Sequence, residues 1–299
     1  MPGTPSAALA VMQVRLTVVG QTHVGLVRKS NEDAFVIADL TGGNLLEEPQ
    51  IAKFEVGQRG VLLAVSDGMG GHQAGEVASA LVVESLRRAM AQPSWTGSGD
   101  ALLQQAALHA NREVWIAARA PGRERMGATL TAVFIHDRTA YIAEVGDSRA
   151  YLVRCGAIQQ VTRDQSYVQL LVDAGTLTPE EAKASGVSNV ILQAMGISKD
   201  VQVAMGQLAL RQRDCFVLCS DGLSGLVTAD EIRELVLTSG ALDAVCSRLV
   251  ELALSRGGTD NITVIVAGVS GDLPVLVEGE SISDTLVVVQ EFQPRPTAA

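Results

Sequence analysis

At 299 residues, 47% hydrophobic and 19% charged, the chain is long enough to bury a large core and suits one large domain or two small ones. Its net charge of -10 argues against nucleic acid and anionic membranes, both of which reward lysine and arginine, and leaves an acidic surplus that could hold cations. No apolar run approaches the roughly 20 residues needed to span a bilayer, and the stretch MPGTPSAALAVMQVRLTVV lacks a basic region and is broken by Gln13 and Arg15, so a secretory signal is not expected and a cytoplasmic protein is.

In chain order, three segments rich in Val, Ile and Thr come first as expected strands: RLTVVGQTH, DAFVIADL and RGVLLAVSD. A helix is expected over 75–92, where Ala78, Val82, Ser85, Leu86 and Ala89 form one stripe. A second, 100–120, opens at Asp100 as its cap and continues the pattern through Leu103, Ala107, Ala110, Val114 and Ala117. Strands follow in ATLTAVFIHD, TAYIAEVGD, AYLVRCG and DCFVLCSD. A second helix pair comes next: Thr228 and Glu231 form a capping box with Gly240 as the stop, and 241–258 carries Leu242, Val245, Leu249 and Leu252. NITVIVAGV is the final core strand.

Short links such as HDRT imply antiparallel hairpins. The expected fold is therefore α+β, a four-layer α-β-β-α sandwich of two antiparallel sheets flanked by helix pairs. Residues 1–14 read as an N-terminal extension, 15–270 as the domain, and 271–299 as a tail in which the TLVVV run is a less favoured edge-strand candidate. Cys155, Cys215, Cys219 and Cys246 show no framework spacing and read as buried free thiols.

Acidic residues recur where apolar strands begin or end. LAVSDG ends at Asp67-Gly68, VLCSDG at Asp221-Gly222 and AEVGDS at Asp147, while Asp260 precedes NITVIV, and Glu32 and Asp33 enter DAFVI with Arg28 close behind. A single aspartate at a strand end is usually a turn residue. Two near-identical SDG stretches together with three further acidic sites point instead to a carboxylate cage at one rim of the sandwich. Clustered anions repel without cations, and hard oxygen ligands imply Mg²⁺, Mn²⁺ or Ca²⁺.

The stretches GLVRKSNEDAF, VSDGMGGHQAGEVAS, MGATLTAVFI, EVGDSRAYL, LCSDGLSGLV and GGTDNITVIV, in this order over roughly 20–269, resemble the metal-dependent serine/threonine protein phosphatases of the PPM or PP2C type in their bacterial form. The resemblance implies a β-sandwich flanked by helix pairs, Mn²⁺ or Mg²⁺ as cofactor, and a site assignment. Asp67 would bridge two ions, Asp221 and Asp260 would complete the first site, and Asp33 with the Gly68 carbonyl would form the second. Glu32 stands where some members keep another second-site acid. A third ion would use Asp221 and Glu124.

Two cations sharing a water lower its pKa toward about 7 and neutralise phosphoryl oxygens, so no covalent intermediate is needed. Arg28 offers a fork of donors to the phosphate, the alternative being a surface cation beside Lys29. His72 could protonate the leaving seryl or threonyl oxygen, the alternative being a loop histidine with only local hydrogen bonds. Asp147, Ser148 and Arg149 read as a supporting turn. Where many bacterial relatives carry DHS and a later histidine-proline pair in a mobile flap, this chain has Asp164-Gln165-Ser166 and Ser185-Gly186-Val187, which puts flap contacts and substrate preference in question. The expected function is hydrolysis of phosphoserine and phosphothreonine on protein substrates, opposing a bacterial serine/threonine kinase, by a monomer. The alternatives are a non-catalytic, metal-bound module that binds phosphoproteins and, with less support, a hydrolase of small phosphoesters.

Overall fold

The computed structural model of the chain describes residues 13–46, 50–70, 73–92, 97–123, 125–178, 181–182, 190–275 and 280–294. The strands are β1 (Val14–His23), β2 (Asp33–Asp39), β3 (Leu45–Leu46), β4 (Ile51–Glu55), β5 (Val61–Met69), β6 (Gly127–Ala128), β7 (Leu130–His136), β8 (Thr139–Val145), β9 (Arg149–Arg154), β10 (Ala157–Gln160), β11 (Ala204–Ala209), β12 (Cys215–Cys219), β13 (Ile262–Gly271) and β14 (Leu286–Gln290). The helices are α1 (Gln73–Met90), α2 (Gly99–Ala117), α3 (Tyr167–Asp173), α4 (Asp221–Ser224), α5 (Ala229–Thr238) and α6 (Leu242–Ser255).

One sheet runs β10-β9-β12-β13-β1-β4 and the other β14-β11-β8-β7-β5-β2-β3, with β6 beside β5, and all pairings are antiparallel. This is the expected α-β-β-α sandwich. The two-residue side-chain period explains why its central strands read as unbroken apolar runs. In β5, Val61, Leu63 and Val65 face the inter-sheet core, while Leu62 and Ala64 pack under α1 and α2. In β13, Ile265, Ala267 and Val269 face inward, whereas Ile262, Val264 and Val266 meet α6. Each fully buried side chain of this kind stabilises by about 1.5–3 kcal/mol.

The expected stripes are buried at Ala78, Val82, Ser85, Leu86 and Ala89 on α1 and at Leu103, Ala107, Ala110 and Val114 on α2, while Ala117 at the end of α2 is only half-buried. The start of α2 differs. Ser98 is its N-cap, and Asp100 lies in the first turn with its carboxyl held low by a hydrogen bond with Ser98. The capping box on α5 forms as expected, and Gly240 follows its C-cap at φ +78.

Two expectations need correction. The segment 271–299 is not a loose tail throughout, because β14 pairs antiparallel with β11 and Arg154, itself buried against Asp214, donates to Thr285 Oγ1 at 2.6 Å. Gln202 and Gln293 add reciprocal hydrogen bonds beyond the strand. Of the four thiols, Cys215, Cys219 and Cys246 are buried, but Cys155 is exposed in the tight β9–β10 turn, where its φ is +48.

Candidate active site

Antiparallel pairing of β2 with β5 sets Asp33 directly opposite Asp67. From the other sheet, β12 runs into α4, whose first residue is Asp221, and Asp260 stands just before β13. Each sheet thus contributes two carboxylates to one rim, and Asp67 and Asp221 are within hydrogen-bond reach of each other. The glycine after each aspartate is a steric requirement. A Cβ on Gly68 would lie 2.1 Å from the Gly75 carbonyl oxygen and 2.5 Å from that of Glu32, and one on Gly222 would lie 1.9 Å from the Asn261 oxygen. Backbone passes against backbone where a side chain would hold it away.

The serines of the two SDG stretches position this cluster. Ser220 Oγ donates to Asp33 Oδ2 at 2.7 Å and accepts from Thr263 N–H, while Ser66 Oγ donates to the Thr129 carbonyl at 2.6 Å. Asp67 and Thr129 are tied twice, through Asp67 N–H on Thr129 Oγ1 and Thr129 N–H on the Asp67 carbonyl. Thr129 Oγ1 shares a proton with Ser148 Oγ at 2.7 Å, and Thr131 Oγ1 donates to the Ser148 carbonyl. Asn261 pins the β1–β2 loop, donating to the Val24 and Ser30 carbonyls and accepting from Glu32 N–H.

Burial, followed by mutual repulsion, controls the charge. Desolvation lifts Asp33 to about 7 despite bonds from Thr263 and Ser220, with Asp221 and Asp260 adding to the rise. Asp67 is pushed well above the carboxylate range by desolvation and then by Asp33, Asp221 and Asp147. Desolvation and Asp260 raise Asp221. Asp33 Oδ1 and Asp221 Oδ1 are buried and have no hydrogen-bond partner among the described residues. Such orphaned anionic oxygens are costly unless a cation or proton meets them, and an all-oxygen set suits Mg²⁺ or Mn²⁺. The side chains also pair among themselves, and among the described residues no three carboxylates converge tightly enough to enclose one ion.

Arg28 reaches this cluster, but by way of a carboxylate: its Nη2 lies 2.6 Å from Asp260 Oδ2. It therefore touches an expected metal ligand. Glu32 contributes backbone, its carbonyl accepting from Gly68 N–H, while its carboxylate lies against Gly75 at the start of α1. His72, Glu124 and Ser185-Gly186-Val187 lie outside the described residues. Asp147, read from sequence as part of a supporting turn, belongs electrostatically to the cluster. Desolvation and then Asp221 raise it to about 7. The signal was present in the sequence, since Asp147 follows an apolar run in AEVGDS as Asp67 and Asp221 follow theirs. Ser148 and Arg149 do support the turn, with Arg149 clamping Asp164 through Nε at 2.9 Å and Nη2 at 2.6 Å.

A profile described as protein phosphatase 2C matches residues 50–251. The chain belongs to the protein phosphatase 2C family. It is 38% identical over 265 residues to the serine/threonine protein phosphatase PstP of Mycobacterium tuberculosis, an alignment that takes in 87% of this chain and 46% of that protein. The chain thus spans about half the length of that curated relative. With the serine/threonine phosphatase stp of Listeria innocua the identity is 32% over 250 residues, 82% of this chain and 93% of the other. The fold superposes with a TM-score of 0.72, at 36% identity, on the catalytic domain of PstP in complex with two manganese ions, covering 86% of this chain and 99% of that one. As a protein phosphatase 2C domain the chain is of a type that depends on Mn²⁺ or Mg²⁺. Its departure at Gln165 is structural: Gln165 Oε1 accepts from Gly146 N–H at 2.9 Å and its Nε2 donates to the Glu144 carbonyl, fastening the turn that carries Asp147.

Proposed function

We propose that this domain hydrolyses phosphoserine and phosphothreonine in proteins, as a cytoplasmic monomer opposing a serine/threonine kinase, with residues 15–270 as the catalytic unit. The observation that carries this reading is the convergence of Asp33 and Asp67 with Asp221 and Asp260 at one rim, with two buried carboxylate oxygens lacking partners. The relatives named serine/threonine phosphatases support the substrate class.

In this reading Asp67, Asp221 and Asp260 would hold one divalent ion, and Asp67, Asp33 and the Gly68 carbonyl would hold a second, with Glu32 as a further acid for it. Glu124 with Asp221 is the proposed pair for a third ion. The bound ions supply the charge that makes water a competent nucleophile and shields the phosphoryl oxygens. Ser220 fixes the carboxylate of Asp33, and Thr129 fixes the backbone of Asp67, so the oxygens stay in place as charge shifts. Arg28 turns its fork from Asp260 to the phosphate, and His72 hands a proton to the departing seryl or threonyl oxygen.

The test is turnover of a phosphothreonine peptide with and without Mn²⁺. Asp67→Asn and Asp221→Asn are expected to abolish it while circular dichroism stays unchanged. Full turnover in excess chelator would sink the two-metal reading, and failure of the wild type on every phosphopeptide and aryl phosphate would favour the non-catalytic module.

A further inference from the structure

A cavity of about 410 Å³ lies between β8, β11, the segment 160–173 and the last described residues, 286–294. That size falls within the range of small-molecule sites, about 300–1,000 Å³. Its apolar lining includes Ile142, Leu170, Leu192, Met205, Val288 and Phe292. The charged part of the lining is acidic, with Glu144, Asp164, Asp173 and Glu291 against Arg163. Asp164 is taken up by Arg149, and Asp173 by Arg163 at 2.5 Å.

Glu144 is different. It is 2% exposed, and its Oε2 accepts from Arg163 N–H at 2.8 Å, but its Oε1 has no hydrogen-bond partner among the described residues. A buried carboxylate with an empty acceptor is rare in folded proteins and calls for a donor. None of the metal-site chemistry uses it.

Gly206 is the lining position where added bulk would test the cavity. It sits inside β11, where glycine weakens a strand, and its φ is not in the left-handed region. A Cβ there would meet Leu286 Cδ1 and the Val287 carbonyl oxygen at 3.7 Å and Ile142 Cβ at 4.0 Å, all ordinary contacts. The register of the β11–β14 pairing shifts between Met205 and Gly206, so the glycine marks a β-bulge, and a side chain there would project against Ile142 and Leu286 in the cavity lining.

We propose that this cavity is a binding site for a small amphiphilic primary amine, with the apolar body against Met205 and Phe292 and the ammonium on Glu144 Oε1. The ammonium supplies the missing donor in a charge-assisted hydrogen bond, and the surplus of acids in the lining selects it over an anion. The site is separate from the carboxylate rim and does not depend on the catalytic reading.

The probes are 4-phenylbutylamine, 4-phenylbutan-1-ol and 4-phenylbutanoate, titrated calorimetrically into the full chain at neutral pH with Mg²⁺ present. The amine is expected to bind at least about tenfold more tightly than the alcohol, and the carboxylate more weakly than either. In Glu144→Gln the amine and alcohol should bind alike, and in Gly206→Val all three should be lost while the melting curve stays cooperative. Should either variant fail to fold, the ¹³C-methyl resonance of Met205 in the wild type locates the amine, and its shift must saturate with the calorimetric curve. Equal binding of amine and alcohol, survival of the amine preference in Glu144→Gln, an unmoved Met205 methyl, or no binding at millimolar amine would each overturn the proposal.

Discussion

Arg28 offers the sharpest test because two magnitudes separate its possible roles. Its side chain is 52% exposed and that of its partner Asp260 is 28% exposed, so solvent screens the 2.6 Å pair. Such a pair is worth under about 1 kcal/mol, roughly a fivefold effect on any equilibrium that depends on it. A charge-assisted bond to a phosphate oxygen contributes more, about 1.5–3 kcal/mol, or roughly a 10- to 150-fold fall in kcat/KM when lost. Arg28→Ala is therefore expected to lower kcat/KM on a phosphothreonine peptide by more than about tenfold. Mn²⁺ affinity should hold or rise by up to about fivefold, because Asp260 is freed from a competing cation. Lysine should restore part of the activity, since it supplies charge without the planar fork. The assay is kcat/KM for wild type, Arg28→Ala and Arg28→Lys at saturating Mn²⁺, with metal binding followed by calorimetry. Equal kcat/KM in all three would remove Arg28 from substrate binding. A loss of Mn²⁺ affinity beyond about tenfold would show that its role is to organise Asp260.

Asp214→Asn strips the charge partner from Arg154, whose side chain is 1% exposed; a loss of about 3–5 kcal/mol is expected, read as a fall in melting temperature of about 5–8 °C by calorimetry. Burial holds the Cys215, Cys219 and Cys246 thiols up at about 12, so a thiol reagent should label one site in the native protein, Cys155, and Cys155→Ser should abolish that labelling. Glu144 is raised well above 4.5 by desolvation, so its stabilising contribution is full below that value and declines as pH rises through the folded value; the stability of Glu144→Gln relative to wild type, from urea melts at successive pH values with Mg²⁺ present, should therefore grow from pH 4.5 upward, and a constant difference would refute the shift. Ending the chain at residue 274 removes β14 and the Thr285 acceptor of Arg154, and should lower the melting temperature while turnover of a small aryl phosphate persists.

The strands that could be read from sequence are those buried on both faces, such as β5 and β13, where Val, Ile and Leu run without a break. Those that escaped are held mainly by backbone pairing. In β4, IAKFE buries only Phe54, and β11 carries Gly206 and Gln207 in its middle, so neither shows apolar periodicity. The TLVVV run was a marginal candidate because β14 buries none of its side chains fully. At the site, the repeated SDG motif made Asp67 and Asp221 legible, and a strand-end position exposed Asp33 and Asp260. Asp147 was undervalued because its neighbours Ser148 and Arg149 do have the structural role that the whole turn was given. The Asp260 contact of Arg28 could not be read at all, since 232 positions separate the two residues.

Because Asp33 and Asp67 come from one sheet and Asp221 and Asp260 from the other, a cation held among them as proposed would also be a fastener across the sandwich. The sheets resist sliding through apolar contact, which has no direction, and through a few hydrogen bonds such as Ser220 to Asp33 and Thr131 to Ser148, whereas ligation would fix distance and angle at one end. Force applied to peel the sheets apart from that rim would meet the ions first, and a single-molecule pulling trace would report occupancy as an added rupture peak. A domain built this way would tie its mechanical integrity to the ions of the proposed site, and starvation for divalent ions would loosen that rim first.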